Sequence, residues 1–253
     1  MYMNYPLLLP NPLWDEVSKS FAATDRKRKQ SLQIIVSGVL YLLKTGCQWR
    51  LLPDVYGKWS LVYYYFRKWM DYGVLEALLY KLVEKVRLQQ ARKAEPTVAV
   101  VDTQSIKKAA GVSEQTGYDG GKKVKGRKRS LATDTQGNII AVGVSTANID
   151  DRKAIKVIQQ VEDHGKITAV FADGAFKGSP PFDRNGKIKW KVINKKAGPF
   201  RALPKRWVVE RAFAWLSNFR RLSKDYEKSI HCSKAMILMA AISITLNQLT
   251  TYF

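Results

Sequence analysis

The chain contains the stretch Thr97-Val98-Ala99-Val100-Val101-Asp102-Thr103-Gln104-Ser105, in which apolar and β-branched residues lead directly into a carboxylate. Such a run after a proline, here Pro96, predicts a buried strand that ends near Asp102. A carboxylate at the end of a buried strand is unfavourable unless something pairs with it, and a metal ion is one such partner. The alternative is an Asp that caps the following turn, and this stretch alone leaves both interpretations open.

The composition predicts a folded and strongly basic protein. With 253 residues, 46% of them hydrophobic, the chain can form one large domain or one domain with a smaller appendage. Its formal net charge is +22, from 43 Lys and Arg against 21 Asp and Glu. This excess predicts a polyanionic partner, and nucleic acid is the first candidate. Two distant cysteines and two histidines argue against structural zinc and against a disulfide scaffold.

No membrane segment is expected from the sequence. The N-terminus lacks the basic flank and the small-residue cleavage site of a signal peptide. The longest apolar-rich run, Ala235 to Leu246, is shorter than the roughly 20 residues that span a bilayer. We therefore expect this run to form a core helix of a cytoplasmic protein.

Residues 1–90 predict a small all-α N-terminal module. Apolar residues repeat at intervals of three and four over 30–45, which predicts an amphipathic helix that ends at Gly46. A helix near the N-terminus and helices over 59–71 and 74–90 are also expected. The basic and aromatic helix 59–71 fits a helix-turn-helix-like DNA-binding module, with a plain helical bundle as the alternative. The DNA-contact candidates in this helix are Tyr64, Arg67 and Lys68.

Residues 96–253, after a polar linker, predict a mixed α/β sheet flanked by helices. Strands are mixed with crossover helices in this part, which argues for a mixed α/β sheet. Two of the strands lead into a carboxylate, Asp102 and Asp173. After the first strand the predicted elements are a hairpin over 130–135 and 139–146, a helix over 148–164, strands over 167–173 and 187–193, and helices over 204–222 and 233–249.

The predicted helix 204–222 supplies a third carboxylate, Glu210. It lies about 200° around the helix from Val208, which belongs to the apolar core stripe. An ion pair with Arg206, four residues earlier, would also explain Glu210. The three acids together fit metal chemistry better, because Mg²⁺ prefers carboxylate oxygens and two ions about 3.5–4 Å apart can clamp the oxygens of a phosphoryl displacement. The acids that local hydrogen bonding explains instead are Asp119, Asp134, Asp150 and Asp151.

A glycine-rich basic segment over 117–129 predicts a loop that approaches phosphates. Six of the eight residues from Lys122 to Arg129 are basic. A solvated run of charge is the usual explanation, but glycine and charge together allow both backbone and side chains to reach phosphate oxygens. The DNA-contact candidates in this segment are Lys122, Lys123, Lys125, Arg127, Lys128 and Arg129.

A set of short motifs runs along most of the chain: Gly46-Cys47-Gln48-Trp49-Arg50-Leu51-Leu52-Pro53, Arg67-Lys68-Trp69, Val101-Asp102-Thr103-Gln104-Ser105, Gly126-Arg127-Lys128-Arg129 leading into Thr133-Asp134-Thr135, Ala172-Asp173-Gly174-Ala175-Phe176, and Arg206-Trp207-Val208-Val209-Glu210-Arg211. With these motifs the sequence resembles bacterial insertion-sequence transposases of the DDE type, the IS-four and IS-five group. The resemblance implies an RNase H-like catalytic core in which Asp102, Asp173 and Glu210 form the triad and bind Mg²⁺, with Mn²⁺ as a substitute.

The resemblance also implies a reaction and partners. The expected activity is metal-dependent cleavage at the ends of the element, followed by transfer of the 3′-hydroxyl into target DNA. The expected partner is double-stranded DNA, both terminal inverted repeats and target, bound by a homodimer or higher oligomer that is associated with the nucleoid. The alternatives are a catalytically inactive DNA-binding regulator derived from such an element and a simple RNase H-like nuclease.

The sequence departs from the family pattern on the helix that carries Glu210. That pattern reads Tyr, two residues, Arg, three residues, Glu, six residues, Lys. Leu203 stands at the Tyr position and Ser217 at the Lys position, whereas Arg206 and Glu210 fit. The departures leave the triad intact and concern the side chains that position the DNA end. The basic residues expected to contact DNA around this helix are Arg206, Arg211, Arg220 and Arg221.

Overall fold

The computed structural model describes residues 8–22, 29–155, 166–177, 188–193 and 207–250. Four helices come first, and they form the predicted helical segment. Their bounds are α1 Asn11–Ala22, α2 Leu32–Thr45, α3 Trp59–Asp71 and α4 Val74–Gln89. Two short 3-10 turns, Trp49–Leu51 and Asp54–Tyr56, connect α2 with α3.

Helix α2 ends where the sequence predicts. Gly46 follows its last turn with φ +72°, in the left-handed region that glycine adopts without strain, and its N–H donates to the Leu42 carbonyl oxygen at 2.9 Å. A Cβ at this position would lie 3.2 Å from Arg220 Cβ. Glycine therefore both terminates α2 and lets the segment around Arg220 pack closely against it.

The second part of the chain is a sheet with three helices among the described residues. The strands are β1 Val98–Lys107, β2 Gly117–Asp119, β3 Val124–Thr133, β4 Ile139–Thr146, β5 Ala169–Asp173 and β6 Lys189–Ile193. The helices are α5 Asp151–Ala154, α6 Trp207–Ser217 and α7 Ile230–Thr250.

The sheet is mixed, as predicted. Strand β1 lies at its centre, with antiparallel β3 on one side and parallel β5 on the other. Strand β4 and the short β2 both pair antiparallel with β3, and β6 pairs parallel with β5. An antiparallel meander extended by two parallel strands is the sheet expected of an RNase H-like domain, and the predicted fold class is confirmed.

Three predicted elements have different bounds in the structure. Strand β1 continues to Lys107, because β3 pairs with it over its whole second half, so Asp102 lies within the strand and not at its end. Residues 124–129, predicted as a loop, are the first half of β3. The described helix α6 ends at Ser217, whose hydroxyl donates to the Ala214 carbonyl oxygen at 2.6 Å, and the predicted extension to 222 is replaced by a 3-10 turn.

Other predicted elements lie at the edges of the described ranges. The helix predicted over 148–164 begins with α5 and is capped by Asp150, and its continuation beyond 155 lies outside the described residues. The last helix is longer than the predicted 233–249, since it spans Ile230–Thr250.

Helix α7 joins the two parts of the molecule. It packs against α4 and β4, and its residues belong to one buried core together with the N-terminal helices and the sheet. By length and composition alone it could cross a membrane, with a mean hydropathy of 1.4 over Ile230–Leu249, but 67% of that apolar window is buried inside the protein. This burial is what the sequence predicts for a core helix. The division into domains 1–90 and 96–253 stays a prediction.

Candidate active site and DNA-contact residues

The register of β1 and β5 relates the first two predicted acids. The strands pair in parallel as far as Val100 opposite Phe171. The pairing ends there, and continuing its register by two residues would bring Asp102 opposite Asp173. Neighbouring strands lie about 4.8 Å apart and residues in register point to the same face, so the two side chains would start from adjacent positions. Both residues are half-buried.

Each of these carboxylates accepts a local backbone hydrogen bond. Asp102 Oδ1 accepts from the N–H of Thr103 at 2.8 Å. Asp173 is the last residue of β5, and its Oδ1 accepts from the N–H of Ala175 at 3.0 Å, which caps the 3-10 turn that follows. Asp173 thus caps a turn, which is the arrangement considered for Asp102, whereas Asp102 itself lies within β1. Hydrogen bonds to a carboxylate also orient it as a metal ligand, so the cap and a metal site are compatible.

Glu210 lies in the first turn of α6, which packs against β1 and β3. The start of this helix adjoins the β3–β4 turn, where the Val208 carbonyl oxygen is 3.5 Å from the position of a Cβ on Gly137. The chain after α6 reaches the far end of β1, since the N–H of Asp225 donates to the Lys107 carbonyl oxygen at 2.8 Å. Helix α6 thus runs alongside β1, and Glu210 is exposed near its beginning.

The donor chemistry of the three acids suits Mg²⁺, which takes carboxylate oxygens. The acids Asp102 and Asp173 each lie two residues beyond the last paired residues of β1 and β5. Among the residues described, however, no group of three or more His, Cys, Asp or Glu side chains is close enough to hold a metal ion. The convergence of Glu210 with Asp102 and Asp173 in one metal site stays a prediction.

Two family models match the chain. The model described as "Transposase DDE domain" matches residues 93–246, well over half of the chain. The chain belongs to the DDE transposase family. A second model, described as "Putative transposase of IS4/5 family", matches residues 9–79. The resemblance stated from the sequence motifs is confirmed. No curated protein and no solved structure matches the chain.

Several predicted DNA contacts of this DDE transposase are buried, and Arg127 is the clearest case. Its side chain is 0% exposed. Nη1 donates to Asp225 Oδ1 at 2.9 Å and to the Glu227 carbonyl oxygen at 2.8 Å, and Nη2 donates to the Lys228 carbonyl oxygen at 2.9 Å. The prediction that Arg127 contacts DNA is wrong, because the guanidinium is enclosed and fastens β3 to the segment after α6.

Lys128, Arg129 and Arg221 are buried for related reasons. Lys128 Nζ donates to Asp151 Oδ1 at 2.6 Å. Arg129 is 2% exposed, and burial lowers its pKa to about 10 although the charge of Asp225 opposes the shift. Arg221 Nε donates to Glu227 Oε1 at 2.8 Å. These three side chains do not reach the surface, so the structure removes them from the predicted DNA contacts.

The buried arginines Arg127 and Arg221 depend on two acids, Asp225 and Glu227, that the sequence analysis did not single out. Asp225 and Glu227 follow α6, and burial raises the pKa of Glu227 even though Arg221 opposes the shift. The sequence contained one sign of this pairing, since Asp225 and Glu227 are two acids within an otherwise basic stretch.

The three lysines that precede this buried group are exposed. Lys122 and Lys123 lie in the turn between β2 and β3, and Lys125 is the second residue of β3. Arg220 is also exposed, in the 3-10 turn after α6. These four side chains are accessible to a phosphate. Arg206 lies outside the described residues.

Helix α3 presents its predicted DNA contacts on the outer face. Tyr64 is 54% exposed. Arg67 is exposed and pairs with Asp71 at 3.9 Å, and Lys68 is half-buried. The opposite face is anchored by Trp69, which is 0% exposed.

Arg211 lies against the β3–β4 turn and not in open solvent. Its Nη2 donates to the Gln136 carbonyl oxygen, and its guanidinium stacks on the rings of Trp207 and Trp215 at 4.2 Å and 4.6 Å from their centroids. Burial lowers the pKa of Arg211, and the charge of Asp134 opposes that shift. The side chain is half-buried.

Local hydrogen bonding explains Asp134, as predicted. The side chain is fully buried, and its Oδ1 accepts from the N–H groups of Gln136 and Asn138 at 2.9 Å and 3.0 Å. It also forms an ion pair with Arg87 of α4, a partner that the sequence analysis did not identify. Asp134 therefore fastens the helical segment to the sheet.

The other acids set aside from the site also have local partners. Asp150 caps α5 by accepting from the N–H of Arg152 at 2.9 Å. Asp119 and Asp151 approach Lys128 Nζ at 3.6 Å and 2.6 Å. A hydrogen bond from Ser105 lowers the pKa of Asp119 against the opposing effect of burial, with smaller contributions from Lys122 and Lys128. These contacts account for the three acids without a catalytic role.

Proposed function

We propose that this chain cleaves DNA at the ends of an insertion element and joins the resulting 3′-hydroxyl to target DNA. The observation that carries the proposal is the parallel pairing of β1 with β5 within a DDE transposase domain, because its register, continued by two residues, would bring Asp102 opposite Asp173. The position of Glu210 on a helix alongside β1 supports it as the third member of the triad.

The proposed cofactor is Mg²⁺, with Mn²⁺ as a substitute, held by Asp102, Asp173 and Glu210. The bound ions would neutralise charge on the phosphate and make the attacking oxygen more nucleophilic. The N–H groups of Thr103 and Ala175 orient the two strand carboxylates. In cleavage, water displaces a 3′-oxygen from phosphorus. In joining, that 3′-hydroxyl attacks a target phosphodiester, so one phosphorus–oxygen bond forms as another breaks.

The proposed substrate is double-stranded DNA, bound by exposed cations. Lys122, Lys123, Lys125 and Arg220 would hold phosphates, and Tyr64 with its neighbours on α3 would contact the terminal repeat. Because cleavage and joining involve two element ends, a homodimer or higher oligomer is the proposed active form. We propose that it acts in the cytoplasm, at the nucleoid.

The test is a comparison of single-acid variants on labelled duplexes that carry the inverted repeats flanking the coding region. Asp102→Asn, Asp173→Asn and Glu210→Gln should each abolish Mg²⁺-dependent cleavage and joining while the melting temperature and DNA affinity stay near those of the unmodified chain. Asp15→Asn, at an exposed acid of α1, is the matched control and should remain active. Full activity in any of the three variants would refute the catalytic role of the residue that was changed. If the unmodified chain cleaves DNA but does not join it, the protein is a nuclease.

A further inference from the structure

Arg211 follows the proposed catalytic residue Glu210 directly in the sequence. Its guanidinium is sandwiched between Trp207 and Trp215, which lie one helical turn before and one turn after it. Residues four apart share one face of a helix, so this sandwich covers the whole length from the first turn of α6 to its last. Contact with two indole rings restricts the positions that the guanidinium can occupy.

The sandwiched guanidinium is also fixed to the sheet. Its Nη2 donates to the carbonyl oxygen of Gln136, in the turn between β3 and β4. The next residue, Gly137, has φ +90°, and a Cβ there would lie 2.7 Å from Arg211 Nη2. The turn therefore needs glycine for its backbone conformation and for the close approach of Arg211.

The turn that receives Arg211 is itself rigidly held. Asp134 accepts hydrogen bonds from the N–H groups of Gln136 and Asn138, and its carboxylate forms a buried ion pair with Arg87 of α4. A continuous set of polar contacts thus runs from the N-terminal helices through the β3–β4 turn to α6. The helix that bears Glu210 has a fixed reference point on the sheet that bears Asp102.

We propose that Arg211 is a positioning residue, which fixes the first turn of α6, and with it Glu210, against the β3–β4 turn. This inference rests on the proposed function, because it takes Glu210 as a catalytic carboxylate. It replaces the expectation that Arg211 contacts DNA. A group that binds phosphate contributes to DNA affinity, whereas a group that places Glu210 contributes to the rate of the chemical step.

The test separates these two roles with Arg211→Gln and Arg211→Lys. DNA affinity is measured without metal, and the cleavage rate is measured at saturating DNA across a Mn²⁺ titration. We expect the rate to fall about 10- to 100-fold, because displacing a catalytic group by about 1 Å has effects of that size. We also expect the Mn²⁺ concentration for half-maximal cleavage to rise in both variants, and the dissociation constant for end DNA to change less than about threefold. Lysine should rescue only in part, since it lacks the planar fork.

Gly137→Ala provides a second variant that keeps the arginine. The added Cβ displaces the guanidinium, so we expect the same loss of rate and the same shift in Mn²⁺ dependence. Gly111→Ala is the matched control: Gly111 has φ +79°, and a Cβ there meets nothing within 4 Å. It imposes similar backbone strain without touching Arg211 and should leave the rate unchanged. Arg92→Gln, at an exposed arginine, controls for the loss of charge.

The outcomes distinguish this inference from the proposed function. If Glu210→Gln is inactive while Arg211→Gln and Gly137→Ala retain the full rate and Mn²⁺ dependence, only the positioning role is refuted. The same holds if Arg211→Gln weakens DNA binding without changing the rate at saturation. If Glu210→Gln is itself active, the proposed triad fails, whatever the arginine variants do.

Discussion

Arg127 Nη1 lies 2.9 Å from Asp225 Oδ1, and both side chains are enclosed, at 0% and 1% exposure. This pair joins the middle strand of the antiparallel meander to the segment that follows α6. Asp225 is held further by the hydroxyl of Ser233, which donates to its Oδ2 at 2.6 Å. Part of the positive charge of the chain is therefore buried and paired with acids, so it cannot contact nucleic acid.

The first prediction concerns this pair. Arg127→Met removes one partner and leaves the Asp225 carboxylate buried without its counter-charge, which should lower the free energy of unfolding by about 3–5 kcal/mol. Lys125→Met, two residues earlier and exposed, should change it by no more than about 0.5 kcal/mol. Denaturant unfolding of both variants measures the difference. If the Arg127→Met variant bound DNA more weakly at unchanged stability, the assignment of Arg127 as a structural residue would be wrong.

The second prediction concerns Asp134. Asp134→Ala leaves Arg87 buried without its partner and removes the acceptor for two N–H groups of the β3–β4 turn, so it should cost about 3–5 kcal/mol of stability. Asp150→Ala removes only an exposed helix cap and should cost about 1 kcal/mol. Thermal unfolding gives the comparison. The folded fraction of the Asp134 variant should still cleave DNA, with at most the moderate loss of rate expected when the β3–β4 turn that receives Arg211 is loosened. An inactive variant of unchanged stability would contradict this structural role.

The helices and most strands could be predicted because their signals are local. Helix α3 spans Trp59–Asp71, the range that the sequence predicts, and Gly46 ends α2 through its own backbone preference. The acids at 102 and 173 were recognisable because each follows a run of buried apolar residues. Their grouping came from the resemblance to a family and not from a local pattern, because the pairing of β1 with β5 joins strands that lie about 70 residues apart.

The sequence did not predict which of the basic side chains would be buried. The same basic run contains exposed Lys122 and Lys125 and buried Arg127 and Arg129, and their composition does not distinguish them. What distinguishes them is the position of β3 between two neighbouring strands and the presence of Asp225, about 100 residues later, as a counter-charge. Long-range pairing of this kind leaves no local pattern.

The third prediction follows from this division of the basic run. Each phosphate that a lysine neutralises adds about −0.9 to the slope of log affinity against log salt. Changing the exposed Lys122, Lys123 and Lys125 together to alanine should therefore flatten the slope by up to about 3 units, equally for element-end and random duplexes, because phosphate contacts carry no sequence information. Lys128→Met should leave the slope unchanged and reduce stability, since its ammonium is buried against Asp151. A flattened slope with Lys128→Met would show that this side chain reaches DNA.

The fourth prediction concerns recognition of the element end by α3. Tyr64 and Arg67 are exposed on one face of the helix, and the opposite face is buried in the core. If this face enters the major groove, Tyr64→Ala, Arg67→Ala and Lys68→Ala should each weaken binding to the end duplex by about 1–3 kcal/mol and binding to a random duplex by less. Stability should be nearly unchanged for the first two variants, because their side chains are in solvent.

The same salt titration applied to both sets of variants decides between the two surfaces. The α3 variants should lose affinity mainly for end DNA, and this loss should be nearly independent of salt. The variants of the β2–β3 lysines should lose affinity for both duplexes, most strongly at low salt, where counterion release contributes most. Arg92→Ala, an exposed arginine outside both surfaces, should change neither affinity. Selective loss of end binding from the lysine variants, with the α3 variants neutral, would reverse the assignment: the hairpin of the catalytic region would then read the sequence, and the N-terminal helices would serve mainly to hold α7 and the β3–β4 turn in place.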